Sequence, residues 1–239
     1  LTINGNGTLN VVGNYNNGIA SKDDLKITAG TVNVTAVNNG LKGKDSITIK
    51  GGEITVNSTG DGVKSDNTED TTKGYIIIEG GSLNITSGGD GIQAETTLTI
   101  SDGDINIVSG GWSSNAATHA ESFQMGPWAN PSNTSSSSSS ETGSAKALKA
   151  GTALTVDGGN ITIDSADDSI HTNDTVTING GYIVIDVAGD GVDSNGSITM
   201  TNGTVIVNGP ENSGNGALDY DTTFDISGGV FVAAGNNGM

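Results

Sequence analysis

The chain has 239 residues, no cysteine, nine basic residues that are all lysine, 27 acids and a formal charge of −18. That balance excludes a disulfide framework or thiolate metal centre and a reader of nucleic-acid phosphates, and it points to a cation, or to something a cation bridges, as partner. No apolar run approaches the roughly 18 residues that span a bilayer, and with aromatics at 4% and 38 glycines the core must be built from Ile, Leu and Val.

In chain order, residues 1–17 supply two short strands, Leu1-Thr-Ile3 and Leu9-Asn-Val11. A turn residue then recurs at Gly18, Gly40, Gly62, Gly91, Ala147, Ser169, Gly191 and Ala217. Most steps are 22 residues, and the exceptions are 22 plus 7, 22 plus 34 and 22 plus 4. Every coil repeats the same three strands, as in Leu25/Ile27 with Val32/Val34, Ile47/Ile49 with Ile54/Val56, Ile76/Ile78 with Leu83/Ile85, and Leu98/Ile100 with Ile105/Ile107. Alternation turns these apolar residues inward and Thr48, Thr99, Thr155, Thr177 and Thr199 outward. A repeat too small to bury its own apolar face means a solenoid. The reading is all-β: a single right-handed parallel β-helix over residues 1–239, of about eight to nine coils.

Between the second and third strands a glycine recurs at Gly30, Gly52, Gly81, Gly103, Gly159, Gly181, Gly203 and Gly229, where a repeated turn calls for positive φ. The insertions fall at coil edges. The longest, about 111–144, carries Trp112, Trp128 and a serine run; the shorter, Asn67 to Lys73, is acidic.

The chemistry lies in outward columns around the first strand of each coil. Residues one repeat apart stack about 4.8 Å apart, so Asp61 meets Asp90, and Asp168 meets Asp190. Two carboxylates at that spacing repel by about 3 kcal/mol at an effective dielectric of 20, which calls for a proton or a hard cation. Oxygen-only clusters suit Ca²⁺, and two sets are expected as ligands. One is Asp168, Asp190, Asp193, Asn195, Asp219 and Asp221, joined by Asp167; the other is Asp61, Asp66, Asp90 and Glu95. Three residues beyond the Asp runs a second column, Lys42, Lys64, Gln93, Lys149, His171, Asp193 and Asp219, a track for the carboxylates of an extended polymer. Trp112, Trp128, Tyr75 and Tyr15 are candidates to stack on sugar faces.

The GDGV and GDGI turns, with the stretches SKDDLKI, GKDSITIKGG, GDGVKSDN, GDGIQAETTLTI, AKALKAGTALTV and SADDSIHTN, resemble a clostridial carbohydrate-binding β-helix family described as binding cellulose and acidic sugars such as polygalacturonate. That family is calcium-binding and similar in fold to the pectate lyases of polysaccharide lyase family nine. The resemblance implies a non-catalytic binder of acidic plant-wall polysaccharide, with cellulose as a second ligand, and with structural Ca²⁺. The lyase motif matches at Asp190, Asp193 and Asp168, with Gly189 in place of its first Asp, so the alternative it implies is a calcium-dependent lyase with Lys149 as base. Polygalacturonase signatures are absent. A third reading is a structural element that stacks end to end through the outward stripe Val184, Ile206 and Val232. Leu1 opens no signal peptide; the Asn-, Thr-, Ser- and Gly-rich composition suggests a secreted or cell-surface bacterial protein.

Overall fold

The computed structural model describes residues 1–114, 144–211 and 214–236. Among these the chain forms three parallel sheets and no α-helix. Sheet A has nine strands, from Thr2–Ile3 to Thr223–Ile226; sheet B has nine, from Thr8–Gly13 to Val230–Ala234; sheet C has eight, from Ile19–Ser21 to Leu218–Tyr220. Each coil contributes one strand to each sheet in turn, so every strand pairs with its counterpart one coil away. The expected β-helix of about nine coils is what the chain forms.

Alternation within each strand builds the core. In sheet A, Leu25, Ile47, Ile76, Leu98, Leu154, Val176 and Ile198 stack in register, all fully buried. Sheet C supplies Leu41, Val63, Ile92, Leu148, Ile170 and Val192. A one-residue slip would turn each such row out to water, which is why the hydrophobic pattern alone fixes register. Truncating one rung, as in Ile47→Ala, costs about 2–5 kcal/mol, because neighbours above and below cannot both collapse into the gap.

The turn between sheets A and B depends on glycine. All eight predicted glycines have positive φ, from 89° at Gly181 to 129° at Gly103. A Cβ at Gly52 would also stand 2.7 Å from the Gly30 carbonyl oxygen of the preceding coil. The turn residue ahead of each sheet C strand is constrained differently: a Cβ on Gly40 would collide with Val56 Cγ1, so that column admits only Gly or very small residues.

The short acidic insertion is an ordered spur. Asn67, buried, accepts the N–H groups of Glu69 and Asp70 through Oδ1 and donates to Asp45 at 2.6 Å, while Lys73 pairs with Asp45 at 2.8 Å. That ammonium and the Asn67 amide hold the Asp45 carboxyl below its usual range.

Candidate functional site

The outward column of sheet C is continuous. Ala20, Lys42, Lys64, Gln93, Lys149, His171, Asp193 and Asp219 are Cα partners from one coil to the next. Charge changes along it: lysines occupy the N-terminal coils, His171 stands at the junction, and acids follow.

None of the three lysines is bare. Lys42 pairs with Asp66 at 2.6 Å, Lys64 with Asp61 at 2.7 Å, and Lys149 with Asp90 at 3.3 Å and with the Ser144 hydroxyl at 3.0 Å. For Lys64, burial works against the charge, but the Asp61 carboxylate overrides it and raises the ammonium above the usual range. Asp61, Asp66 and Asp90 therefore each carry a different lysine. Glu95 stands apart from these pairs, in the corner column that follows the strand.

A second arrangement explains the stacked carboxylates. Asn17 Oδ1 accepts the N–H of Asn39, Asn39 Oδ1 that of Asp61, Asp61 Oδ1 that of Asp90, and Asp90 Oδ1 that of Lys146, at 2.9–3.2 Å. The ladder resumes with Asp168 to the Asp190 N–H at 2.8 Å and Asp190 to the Gly216 N–H at 2.5 Å. One amide or carboxylate oxygen at each step is thus a structural acceptor for a turn N–H that no strand satisfies. Besides the proton or metal expected to relieve the repulsion, the chain uses lysines and backbone donors, which relieve it through opposite charge and hydrogen bonding.

Lys146, at the break in this ladder, sends its ammonium to Asp168 and, at 3.4 Å, to Asp167. Burial disfavours that charge, yet the two carboxylates hold the ammonium well above the usual lysine range. Beyond it the acids outnumber their partners. His171 Nδ1 contacts the Asp193 carboxylate and lies 3.9 Å from Asp168, and one ligand atom from each of Asp168, His171 and Asp193 falls within 4.8 Å of the others. Asp190 has no lysine among the described residues. Burial pushes its carboxyl up to about 6, with repulsion from Asp168, Asp193 and Asp219 working against the Gly216 N–H.

The two acid sets thus differ in what they offer a hard cation. Asp190 and Asp219 have no cationic side-chain partner among the described residues and offer the oxygens that suit Ca²⁺; Asp168 is shared with Lys146 and Asp193 with His171, whose nitrogen Ca²⁺ does not favour. Asn195 and Asp221 lie two residues further along, in the corner column, where Asn195 reaches Asn173 at 3.4 Å. Trp112 is in the turn after sheet B, 53% exposed, with a φ of 83° unique among described non-glycine residues; its neighbour Ser113 donates its backbone N–H to Asp164 at 2.6 Å. Trp128 lies outside the described residues. Val184, Ile206 and Val232 are in register on sheet B.

Three further lysines lie at this face outside the expected column. Lys22 and Lys44 occupy one position of the repeat, 22 residues apart, a signal as regular as the column that was singled out. Lys146 falls at a turn position held by Asp or Asn in six other coils and by Gly216 in the last, and only the contact with Asp168 reveals its part.

The family model for "Carbohydrate-binding domain-containing protein" matches residues 1–191. A curated relative from Acetivibrio thermocellus with the same description is 71% identical over 75 residues, covering 31% of this chain and 26% of the relative. This chain therefore aligns with about a quarter of that relative's length. No solved structure matches the chain.

Proposed function

The chain belongs to the family of carbohydrate-binding domain-containing proteins, and from that premise we propose that it holds an extended acidic polysaccharide, of the polygalacturonate kind, along sheet C without cleaving it. The observation that carries this reading is the unbroken outward column from Lys42 to Asp219, graded from cationic to anionic. A polyuronate laid along the solenoid axis meets ammonium groups at one end. At the other it meets Asp190, Asp193 and Asp219, where Ca²⁺ bridges protein and polymer carboxylates. Each exposed ion pair is worth little alone, so affinity comes from the row.

Binding is favoured over lyase chemistry because the Lys149 nitrogen is paired with Asp90 at 3.3 Å and donates to the Ser144 hydroxyl, whereas a general base must be aimed at the proton it abstracts. The protein acts outside the cell or at its surface, where such polymers are met.

The test is titration with polygalacturonate in calcium and in chelator, alongside absorbance for the unsaturated product of a lyase. Calcium-dependent binding with no rise in absorbance is expected. Absence of polygalacturonate binding in either condition rejects the substrate, and turnover that Lys149→Ala abolishes rejects the non-catalytic reading.

A further inference from the structure

We propose that the N-terminal end of this face contains a discrete subsite for one carboxylate-bearing sugar ring, centred on Lys22 and Lys44; the proposal rests on the carbohydrate-binding reading above. An open cleft of about 510 Å³ lies here, lined by Lys22, Lys42, Lys44 and Asp66 with Asn17 and Ser21. Three of the nine lysines of a chain with formal charge −18 thus meet at one depression. Their convergence follows from the fold. Lys22 and Lys44 share one position of the repeat, each just after a sheet C strand, and the Lys44 N–H donates to the Ser21 carbonyl at 3.1 Å, so the two stems leave adjacent corners about 4.8 Å apart.

The three ammonium groups are not equally engaged. Lys42 is committed to Asp66 at 2.6 Å, with both side chains 27% exposed. Lys44 meets Glu69 at 3.2 Å, but Glu69 is 77% exposed, and such a pair contributes little. Lys22 is exposed and has no carboxylate partner among the described residues. Two cations therefore remain for a ligand.

The rest of the lining sets the kind of anion. Asp66 in the cleft and Glu69 beside it repel a densely charged group such as a sulfated or phosphorylated sugar, whereas Asp66 can accept a hydrogen bond from a hydroxyl. Asn17 uses Oδ1 for the Asn39 N–H, which leaves its amide N–H groups to donate, and the Ser21 hydroxyl is a further donor. Lysine ammonium groups act as compact point donors to single oxygens. One carboxylate flanked by free hydroxyls, as on a uronic acid ring, satisfies both signs at once. Tyr15, 94% exposed, stands two residues before Asn17.

The experiment uses the full chain and trigalacturonate as probe, with its methyl ester and a sulfated neutral trisaccharide as comparisons. The double variant Lys22→Ala, Lys44→Ala is set against Lys26→Ala, Lys50→Ala, which removes the same charge from a sheet A strand and the turn after its neighbour. The first should lose about five- to thirtyfold in trigalacturonate affinity, with unchanged melting and unchanged weak binding of the ester; the second should lose less than about twofold. Replacing Lys22 and Lys44 with Arg should restore binding. Equal losses in the two double variants would reduce the subsite to a general field effect and overturn it. Unimpaired trigalacturonate binding by Lys22→Ala, Lys44→Ala, with polygalacturonate still bound, would overturn the subsite alone. Tighter binding of the sulfated probe would overturn the carboxylate assignment. A wild-type chain that binds no saccharide at all would bring down the broader reading and this one with it.

Discussion

At the scale of single residues, Asp190 is the group whose environment makes the sharpest demand. Its carboxyl is pushed up to about 6, above the roughly 3.9 of an unfolded Asp, so the folded chain binds that proton more tightly than the unfolded one. Between about pH 4 and pH 6 the native state holds more protons at this site, and its contribution to stability falls as pH rises. In chelator, wild type should therefore lose about 1 kcal/mol relative to Asp190→Asn between about pH 4.5 and 6.5, a figure discounted for the solvent screening of a partly exposed group. Parallel melting curves for the two proteins across that range would show that Asp190 ionises without strain. Ser169 makes a second case. Its hydroxyl is buried without a hydrogen-bond partner, at a turn position where Ala147 and Ala217 stand in other coils. Ser169→Ala should raise stability by about 1 kcal/mol, read from a denaturant midpoint; a lower midpoint would mean the hydroxyl is satisfied in solution.

At the scale of the repeated element, the side-chain-to-turn ladder separates what a carboxylate does by hydrogen bonding from what it does by charge. Asn17 and Asn39 accept the same turn N–H as Asp61 and Asp90, so Asp61→Asn should stay within about 0.5 kcal/mol of wild type. Asp61→Ala, which strands the Asp90 N–H, should cost about 1–3 kcal/mol. Equal destabilisation by the two would locate the role of Asp61 in its ion pair with Lys64 instead. The strands, the core rows and the positive-φ glycines were legible in the sequence, because a fixed repeat and a period of two leave one register that buries the Ile, Leu and Val rows of the inner coils. The site was legible only as columns. Which carboxylate a flexible lysine reaches depends on side chains two or three positions away on neighbouring coils: Lys149 reaches Asp90 and Lys42 reaches Asp66. Spacing alone contains no such choice. The Asp61, Asp66, Asp90 and Glu95 set looked like the Asp190 set in sequence and differs from it through those lysines.

At the scale of the whole molecule, contacts run between neighbouring coils, so stability is close to a sum of coil and interface terms. A cation that binds the acid end of sheet C only in the folded state should stabilise the C-terminal coils first. Chelation is therefore expected to lower the melting temperature, with hydrogen exchange rising first around Asp190 to Asp219. Identical melts with chelator and with millimolar calcium would remove Ca²⁺ from this protein's account. Raising salt should weaken polygalacturonate binding at the lysine end sooner than at the acid end, since exposed charges are screened once the Debye length falls below about 10 Å and a coordinated ion is not.

The outward column of sheet C also makes the molecule a ruler. Its marks are set by backbone pairing, with one side chain to each coil, so their pitch stays near 4.8 Å whatever residues occupy them. Deleting a whole 22-residue coil would shorten the graduated face by one mark and leave every other mark in place. The length of oligomer that saturates the face is accordingly written in the number of coils, and the sign of charge it meets at each mark is written in one residue per coil.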